Sequence, residues 1–483
     1  MALGCITLFS LTGCAVGPDF VRPDAPEVGT YDRQEPSRDS YPGKTGPSRF
    51  DEGVGPAANW WRSFNSKQID SVVTRGLAEN PGLQAAQANL RQSQENLRAG
   101  SGIFYPQISA TFGQSRGNSS STPAGVTRTG TIFNLSTLSA TVSYSLDLFG
   151  GQRRAVEGLG AQVDQQRAQI LGTYMMVTGN MVNTCIAIAA YRAEIDELEQ
   201  LIAIEKEQLS IAEKQYRAGL TAYSSVLSIQ GQLSSLEATI PPVRQKMSQA
   251  EHLLATLVGK TPAEWQTPDL RLSEISRPEH LPLSLPSELV RQRPDILAAE
   301  AQLHAANAAV GASTAAMFPS FTLSGSYGRS STVLKGLVDG ENTFWGIGAN
   351  ITEPLLNGGT LNAKRRSAIY SRDQSRALYR QTVLAAFAQV ADLIRAIEHD
   401  TELLQAESRA IDDARLSLDL VQANYKAGSV SYVPVILADI QYRQAKIGYL
   451  QAQARQLQDT TALYVALGGG WQHDQEARKK AGL

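Results

Sequence analysis

The feature that most limits the fold of this chain is a pattern that occurs twice, about 210 residues apart. Asn80-Pro81-Gly82-Leu83-Gln84-Ala85-Ala86 is answered by Arg293-Pro294-Asp295-Ile296-Leu297-Ala298-Ala299, and Tyr105-Pro106 by Phe318-Pro319 at the same offset. Tyr216-Arg217-Ala218-Gly219 is answered by Tyr425-Lys426-Ala427-Gly428, with Tyr223 and Val226 matched by Tyr432 and Val435. Leu257-Val258-Gly259 then corresponds to Leu467-Gly468-Gly469. Two prolines in register and two aromatic-glycine signatures mark a tandem duplication, so one supersecondary unit has to be explained twice.

The duplication divides the 483 residues. An apolar segment occupies 1–14, a Pro/Gly/Asp/Ser-rich tether without helical or strand period occupies 15–59, and the first repeat runs over 60–270. A Pro-rich linker, 271–285, leads to the second repeat at 286–470, followed by a polar tail, 471–483. Within each repeat the expected order is a helix of about 35 residues, two strands joined by a polar loop, a very long helix, a tight turn and a returning helix.

Strands are marked by strict alternation. Leu138, Ala140, Val142, Tyr144, Leu146 and Leu148 are interleaved with Ser139, Thr141, Ser143, Ser145 and Asp147, which predicts a two-faced strand. Its partner carries Ile108, Ala110 and Phe112 against Ser109 and Thr111. In the second repeat Phe321, Leu323 and Tyr327 alternate with Thr322, Ser324 and Ser326, and Trp345, Ile347, Ala349 and Ile351 with Gly346, Gly348, Asn350 and Thr352. Each strand is expected to be about ten residues, the length that crosses a bilayer when tilted, with hydroxyl and glycine positions suited to a watery lumen. Aromatic residues, among them Phe104, Tyr105, Phe149, Phe318, Phe344 and Trp345, sit near the strand ends. Polar loops at 114–131 and 329–342 join the strands of each pair. No apolar run beyond the N-terminus approaches the ~20 residues of a membrane helix, so membrane contact is expected through strands. Four strands cannot close a barrel whose smallest form has about eight, and oligomerisation follows.

From about 151 to 216, and again from about 359 to 425, the chain lacks proline and is rich in Ala, Gln, Glu, Leu and Arg, which predicts helices roughly 95 Å long. Ile195, Leu198, Ile202, Leu209, Ala212 and Tyr216 keep the three-four spacing of a coiled-coil seam, as do Ile411, Ala414, Leu418, Val421 and Tyr425.

Other chemistry is excluded by composition and spacing. Charged residues make up 19% of the chain with a net charge of −2, which does not suit a nucleic-acid partner. The three cysteines provide no disulfide framework, and no nucleophile elbow or phosphate-loop signature is present. The five histidines show no metal-ligand spacing, so neither an enzyme nor a metal site is expected, and no cofactor. Gly468-Gly469-Gly470 reads as the end of the last helix and Asp412-Asp413 as a solvated helix face. At the N-terminus, Leu11-Thr12-Gly13-Cys14 matches a lipobox, which makes Cys14 the expected site of a covalent lipid, and Ala15 is compatible with sorting to the outer membrane. No Lys or Arg precedes Cys14, so the natural start is expected upstream.

Taken together, the chain resembles the outer membrane factor family of TolC-like channels, and within it the lipoprotein branch of resistance-nodulation-division (RND) efflux systems. The resemblance runs from Cys14 to about Gly470 and is carried by Cys14-Ala15-Val16-Gly17-Pro18-Asp19-Phe20 with Arg22-Pro23, by Trp60-Trp61 with Phe64, by the four prolines Pro81, Pro106, Pro294 and Pro319 at helix and strand turns, and by both Tyr-x-Ala-Gly turns. It implies a homotrimer with a twelve-stranded β-barrel, four strands per subunit, continued by a long α-helical periplasmic barrel. It also implies an outer-membrane location, a periplasmic adaptor and an inner-membrane RND-type transporter as partners, and a passive, gated export function. A type I secretion channel is the neighbouring alternative, and a periplasmic coiled-coil adaptor or structural lipoprotein the more distant one.

By the same resemblance the two turns lie at the periplasmic tip. Tyr216, Arg217, Gly219, Leu220, Tyr223, Tyr425, Lys426, Gly428 and Tyr432 are then the expected adaptor-docking residues. The gate would lie at Ser225, Ser228, Pro434, Leu437 and Asp439. The chain departs from the family here, because the positions in the second repeat where relatives often carry aspartates hold Pro434 and Leu437, and the first repeat has Ser225 and Ser228. Closure by apolar and aromatic packing is therefore expected, with conductance insensitive to millimolar divalent cations.

Overall fold

A computed structural model describes residues 15–33, 49–119 and 131–471. In chain order the elements are β1 (Arg49–Glu52), a 3-10 turn (Trp60–Phe64), α1 (Lys67–Glu79), α2 (Pro81–Ser101), β2 (Gln107–Ser119), β3 (Thr131–Leu146) and α3 (Gly151–Arg217). They continue with α4 (Tyr223–Glu237), α5 (Ile240–Leu257), β4 (His280–Leu283), α6 (Pro286–Gln292), α7 (Pro294–Ala315), β5 (Ser320–Ser331), β6 (Thr343–Thr352), α8 (Thr360–Lys426) and α9 (Val433–Ala466). The repeat order expected from sequence is present, and α3 and α8 are each 67 residues long. Cys14, most of the first inter-strand loop and all but Trp471 of the polar tail lie outside the described residues.

Three expectations need correction. The single entry helix of about 35 residues is two helices in each repeat, α1/α2 and α6/α7, because Asn80 and Arg293 precede prolines and are driven into the extended region at ψ 120° and 122°. The returning helix of the first repeat is likewise broken at Ala238-Thr239, ahead of Pro241-Pro242, whereas α9 is continuous. The tether and the linker are not free of strand: Arg49–Glu52 pairs in parallel with His280–Leu283. At four residues, neither run is long enough for a period-two pattern to stand out.

The chain folds as two compact units. The first comprises residues 1–23, 90–166 and 298–380, and holds the four-stranded antiparallel sheet in the order β2-β3-β5-β6. The pairs Ile108↔Val142, Val142↔Gly325 and Gly325↔Ile347 fix the register across all four strands. Directly paired residues lie on the same side, so this register collects every apolar alternate onto one face. Ile108, Phe112, Leu138, Val142, Leu323, Tyr327, Ile351, Trp345 and Ile347 are all exposed there, the last two at 73% and 86%. The opposite face presents Ser109, Thr111, Ser139, Thr141, Ser143, Thr322, Ser324, Ser326, Gly346 and Gly348. From Leu138 to Leu146 the apolar track spans roughly 26 Å at ~3.3 Å per residue. The strands run to 16 residues, longer than expected, because pairing of β2 with β3 continues past the apolar stretch through polar residues such as Arg116 and Asn134. Among the described residues, nothing pairs with the outer sides of the edge strands β2 and β6.

The N-terminal segment is tied to this unit residue by residue. Val16 N–H donates to the Phe149 carbonyl at 3.0 Å, Asn307 Nδ2 donates to the Pro18 carbonyl at 2.9 Å, and the Phe20 ring stacks on His304 at 4.3 Å. Arg154, almost fully buried, holds Asp19 at 2.5 Å and Glu157 at 2.8 Å. Gly17, at φ +94°, lies against the backbone of Gly311, where a Cβ would come within 2.6 Å of the Gly311 Cα. The Gly311 backbone thus leaves no room for a side chain at position 17, and a Cβ at Gly311 would in turn meet the Arg154 side chain at 2.8 Å. The sequence motif that follows Cys14 is thus a docking strip.

The second unit comprises residues 24–89, 167–297 and 381–483. Trp60, Trp61 and Phe64 are buried there, with Trp60 stacked on Tyr464 at 5.1 Å and Ser63 Oγ within 3.3 Å of its hydroxyl. Ile69, Val72, Val73 and Leu77 form the buried stripe of α1, and Met181, Val182, Cys185, Ile186 and Ile188 that of the middle of α3. Burial pushes the Cys185 thiol up to about 12, so it behaves as an apolar filler. The pre-proline residues serve the duplication twice over. Asn80 Nδ2 donates to the carbonyl of Leu257, the last residue of α5, at 2.7 Å, and Arg293 Nη1 donates to the carbonyl of Ala466, the last residue of α9, at 3.0 Å. Unlike side chains at equivalent positions thus satisfy the same exposed helix-end carbonyl.

Candidate docking and gating site at the helix turns

Both long helices end in the same way. Gly219 N–H donates to the Tyr216 carbonyl at 2.9 Å and Leu220 N–H to the Gln215 carbonyl at 2.8 Å; Gly428 and Ser429 repeat this on Tyr425 and Asn424, both at 2.9 Å. This pair of bonds is the Schellman motif, which requires a left-handed residue at the helix exit. Gly219 and Gly428 supply it at φ +74° and +75°. A Cβ at either position would meet nothing within 4 Å, so the cost of substitution is carried by the backbone alone. Gly428→Ala is expected to destabilise the turn by about 1–2 kcal/mol. The check is amide hydrogen exchange at Gly428 and Ser429, accelerated roughly 5–30-fold.

Each turn is closed by a tyrosine pair, Tyr216 with Tyr223 at 5.2 Å and Tyr425 with Tyr432 at 5.1 Å, both tilted as aromatic pairs prefer. The two turns differ in what they present. Around the first, Leu220 is 77% exposed, Tyr216, Tyr223, Ser225 and Ser228 are exposed, and Arg217 is paired only with Glu213 of its own helix at 3.3 Å. Around the second, Tyr425, Lys426 and Leu437 are exposed, but Tyr432 is half-buried, packed with Leu201, Ile204, Ile211, Ile436 and Ile440 between α3 and α9. Burial first, and then its hydrogen bond to Glu207, push the Tyr432 phenol above its ordinary value. Tyr432 is therefore placed in the seam, away from an open surface.

Pro434 lies in the first turn of α9, where Val435 and, one turn on, Ala438 pack with Leu418, flanked by Val421 and Tyr442. Asp439 is not a free carboxylate. Its Oδ1 lies 3.1 Å from Arg443 Nε, and Arg443 Nη1 reaches both Glu197, at 3.3 Å, and Gln200. Lys446 Nζ holds the other oxygen of Glu197 at 2.5 Å. Glu197 is 5% exposed, so this is a buried ionic knot between α3 and α9. Sequence reasoning missed Glu197, Arg443 and Lys446. The available signal was the Asp439/Arg443 spacing of four on α9, but nothing in the sequence pairs that helix with position 197.

Comparison with known proteins agrees with this architecture. The family model described as outer membrane efflux protein matches residues 72–260 and 285–469, the two repeats. The pyoverdine export outer membrane protein OpmQ of Pseudomonas aeruginosa is 30% identical over 430 residues, covering 87% of this chain and 89% of its own length. The cation efflux system protein CusC of Escherichia coli is 26% identical over 97% of this chain and 98% of its own. Among solved structures, the outer-membrane channel OprN superposes with a TM-score of 0.81 at 25% identity, covering 95% of this chain and all of the OprN chain. By the match of both repeats and the likeness to OpmQ, the chain belongs to the outer membrane efflux protein family.

Proposed function

We propose that three copies of this chain close a twelve-stranded barrel in the outer membrane and form, with the long helices, a passive conduit from periplasm to exterior. The observation that carries this is the sheet: four strands with an exposed apolar face, a hydroxyl-and-glycine face, and two open edges. An exposed apolar face of this size is costly in water and favourable against lipid, while open edges in a bilayer must be paired by another copy. The polar face then lines the pore. Energy would come from an inner-membrane RND-type transporter, reached through a periplasmic adaptor that docks at the turns around Gly219 and Gly428, with a lipid on Cys14 as a second anchor. The relatives are named for pyoverdine, cations, solvents and antibiotics, which supports a conduit whose cargo is chosen by its partners.

The test is the protein extracted from outer membranes in detergent. It is expected to migrate as a trimer that heating converts to monomer, and to conduct in planar bilayers with little change on adding millimolar divalent cations. A monomer that stays soluble without detergent would overturn the reading. Strong block by divalent cations would overturn the apolar gate alone.

A further inference from the structure

A second polar layer crosses the helices joined by the Gly428 turn, well away from that turn. Asp400 and Thr401 of α8 face Arg455, Gln456 and Asp459 of α9. Gln456 Nε2 donates to Thr401 Oγ1 at 2.9 Å, and Arg277 Nη1 donates to Gln456 Oε1 at 3.4 Å. Asp400 is 5% exposed. Its Oδ1 lies 3.5 Å from Nε of the largely exposed Arg455, but its Oδ2 is closed off from solvent and accepts no hydrogen bond. Asp459 follows Arg455 by four residues on the α9 face that meets Asp400 and Thr401, so the carboxyl next to the unpartnered Oδ2 is that of Asp459. Two carboxylates offer acceptors only, so that bond exists only when one of them holds a proton. The other charged or titratable groups around the pair are Arg455 on α9, His399 on α8, the latter paired outward with Glu402 at 3.3 Å, and Arg277, which reaches the layer through Gln456.

We propose that Asp400 and Asp459 share one proton across the α8–α9 seam, and that loss of this proton loosens the two helices. Holding a proton removes one of two negative charges from a layer where neither is well solvated and restores the missing hydrogen bond. Releasing it leaves two carboxylates facing each other with the largely exposed Arg455 guanidinium beside them. Burial first, then the neighbouring Asp459, raise the Asp400 carboxyl from 3.8 to about 7. The sign follows from proton linkage. Between about pH 4 and pH 7 the folded protein holds a proton that the unfolded chain has lost, so stability is highest at the acid end of that window and falls as pH rises through it.

Asp400→Asn keeps the shape and supplies a permanent donor. The experiment follows thermal unfolding of the intact, detergent-extracted protein from about pH 5 to about pH 9, for wild type, Asp400→Asn and Asp459→Asn. Infrared difference spectra of the carboxyl carbonyl stretch are recorded over the same range. Expected is a wild-type midpoint that falls with rising pH, a flattened dependence in both variants, and a protonated-carboxyl band that fades around neutral pH and is missing in Asp400→Asn. An unchanged pH slope in both variants, or absence of the band from wild type below neutral pH, would overturn the proposal. Should Asp400→Asn fail to assemble, the Asp459→Asn slope and the wild-type band decide it.

Discussion

Replacing Val142 with arginine is expected to abolish assembly of this protein in the outer membrane, whereas the same replacement at Thr141 is expected to leave it assembled. Val142 is central in β3, a strand paired on both sides, and stands midway between Leu138 and Leu146 on the apolar face. A charge there would sit near the bilayer midplane, at a cost of about 2–4 kcal/mol per chain. In the proposed barrel of three copies the cost would be repeated, giving roughly 6–12 kcal/mol for the assembly. That is comparable to the whole stability of an ordinary domain, about 5–15 kcal/mol. Thr141 is one residue away and on the opposite face, paired with Ser109 and Ser326, where a charged side chain would reach lumen water. The measurement is the amount of heat-modifiable trimer in the outer-membrane fraction. Equal loss from both variants would mean that the faces are not distinguished by lipid and water, and normal assembly of the Val142 variant would place the apolar face elsewhere than in lipid.

Arg443→Ala is expected to destabilise the pairing of α3 with α9 by about 2 kcal/mol. Removing one partner of a buried ion pair costs about 3–5 kcal/mol when the other charge is stranded. Here Lys446 remains on Glu197, and Arg443 and Lys446 are partly exposed, so the cost is discounted. Glu197→Ala made together with Arg443→Ala should cost less than the sum of the two single changes, with a coupling of roughly 0.5–3 kcal/mol. The knot sits on the helix that follows the Gly428 turn, and the variant is expected to raise amide exchange selectively over residues 433–446. Additive effects, or faster exchange that is uniform along α9, would show that the three charges are independent surface ions.

Much of this molecule was legible in its sequence because the relevant signals are periodic and local. Alternation of Leu138 to Leu148 with serine, threonine and aspartate gave a strand and its two faces. The three-four spacing through Ile195, Leu198 and Ile202 and through Leu418 gave the buried seam, and these four residues are buried. Gly219 and Gly428 announced their turns because a left-handed exit from a helix is nearly restricted to glycine. The two Asx/Arg-Pro steps were visible as landmarks, although their consequence, a break in the entry helix, was not drawn from them.

What the sequence determined, then, is the duplicated unit, the two faces of the four strands of the large sheet and the position of the two helix turns, since each is written in residues close together along the chain. Tertiary structure alone decided which distant side chains meet: Asn80 with the end of α5, Glu197 with Arg443 and Lys446, Asp400 with Arg455, and Arg49–Glu52 with His280–Leu283. Such contacts join positions tens to hundreds of residues apart, and their energy depends on burial, which no local pattern of charged residues records. Asp439 shows the difference most plainly. By position it is the carboxylate left near the gate, and by packing it belongs to a neutralised knot through Arg443.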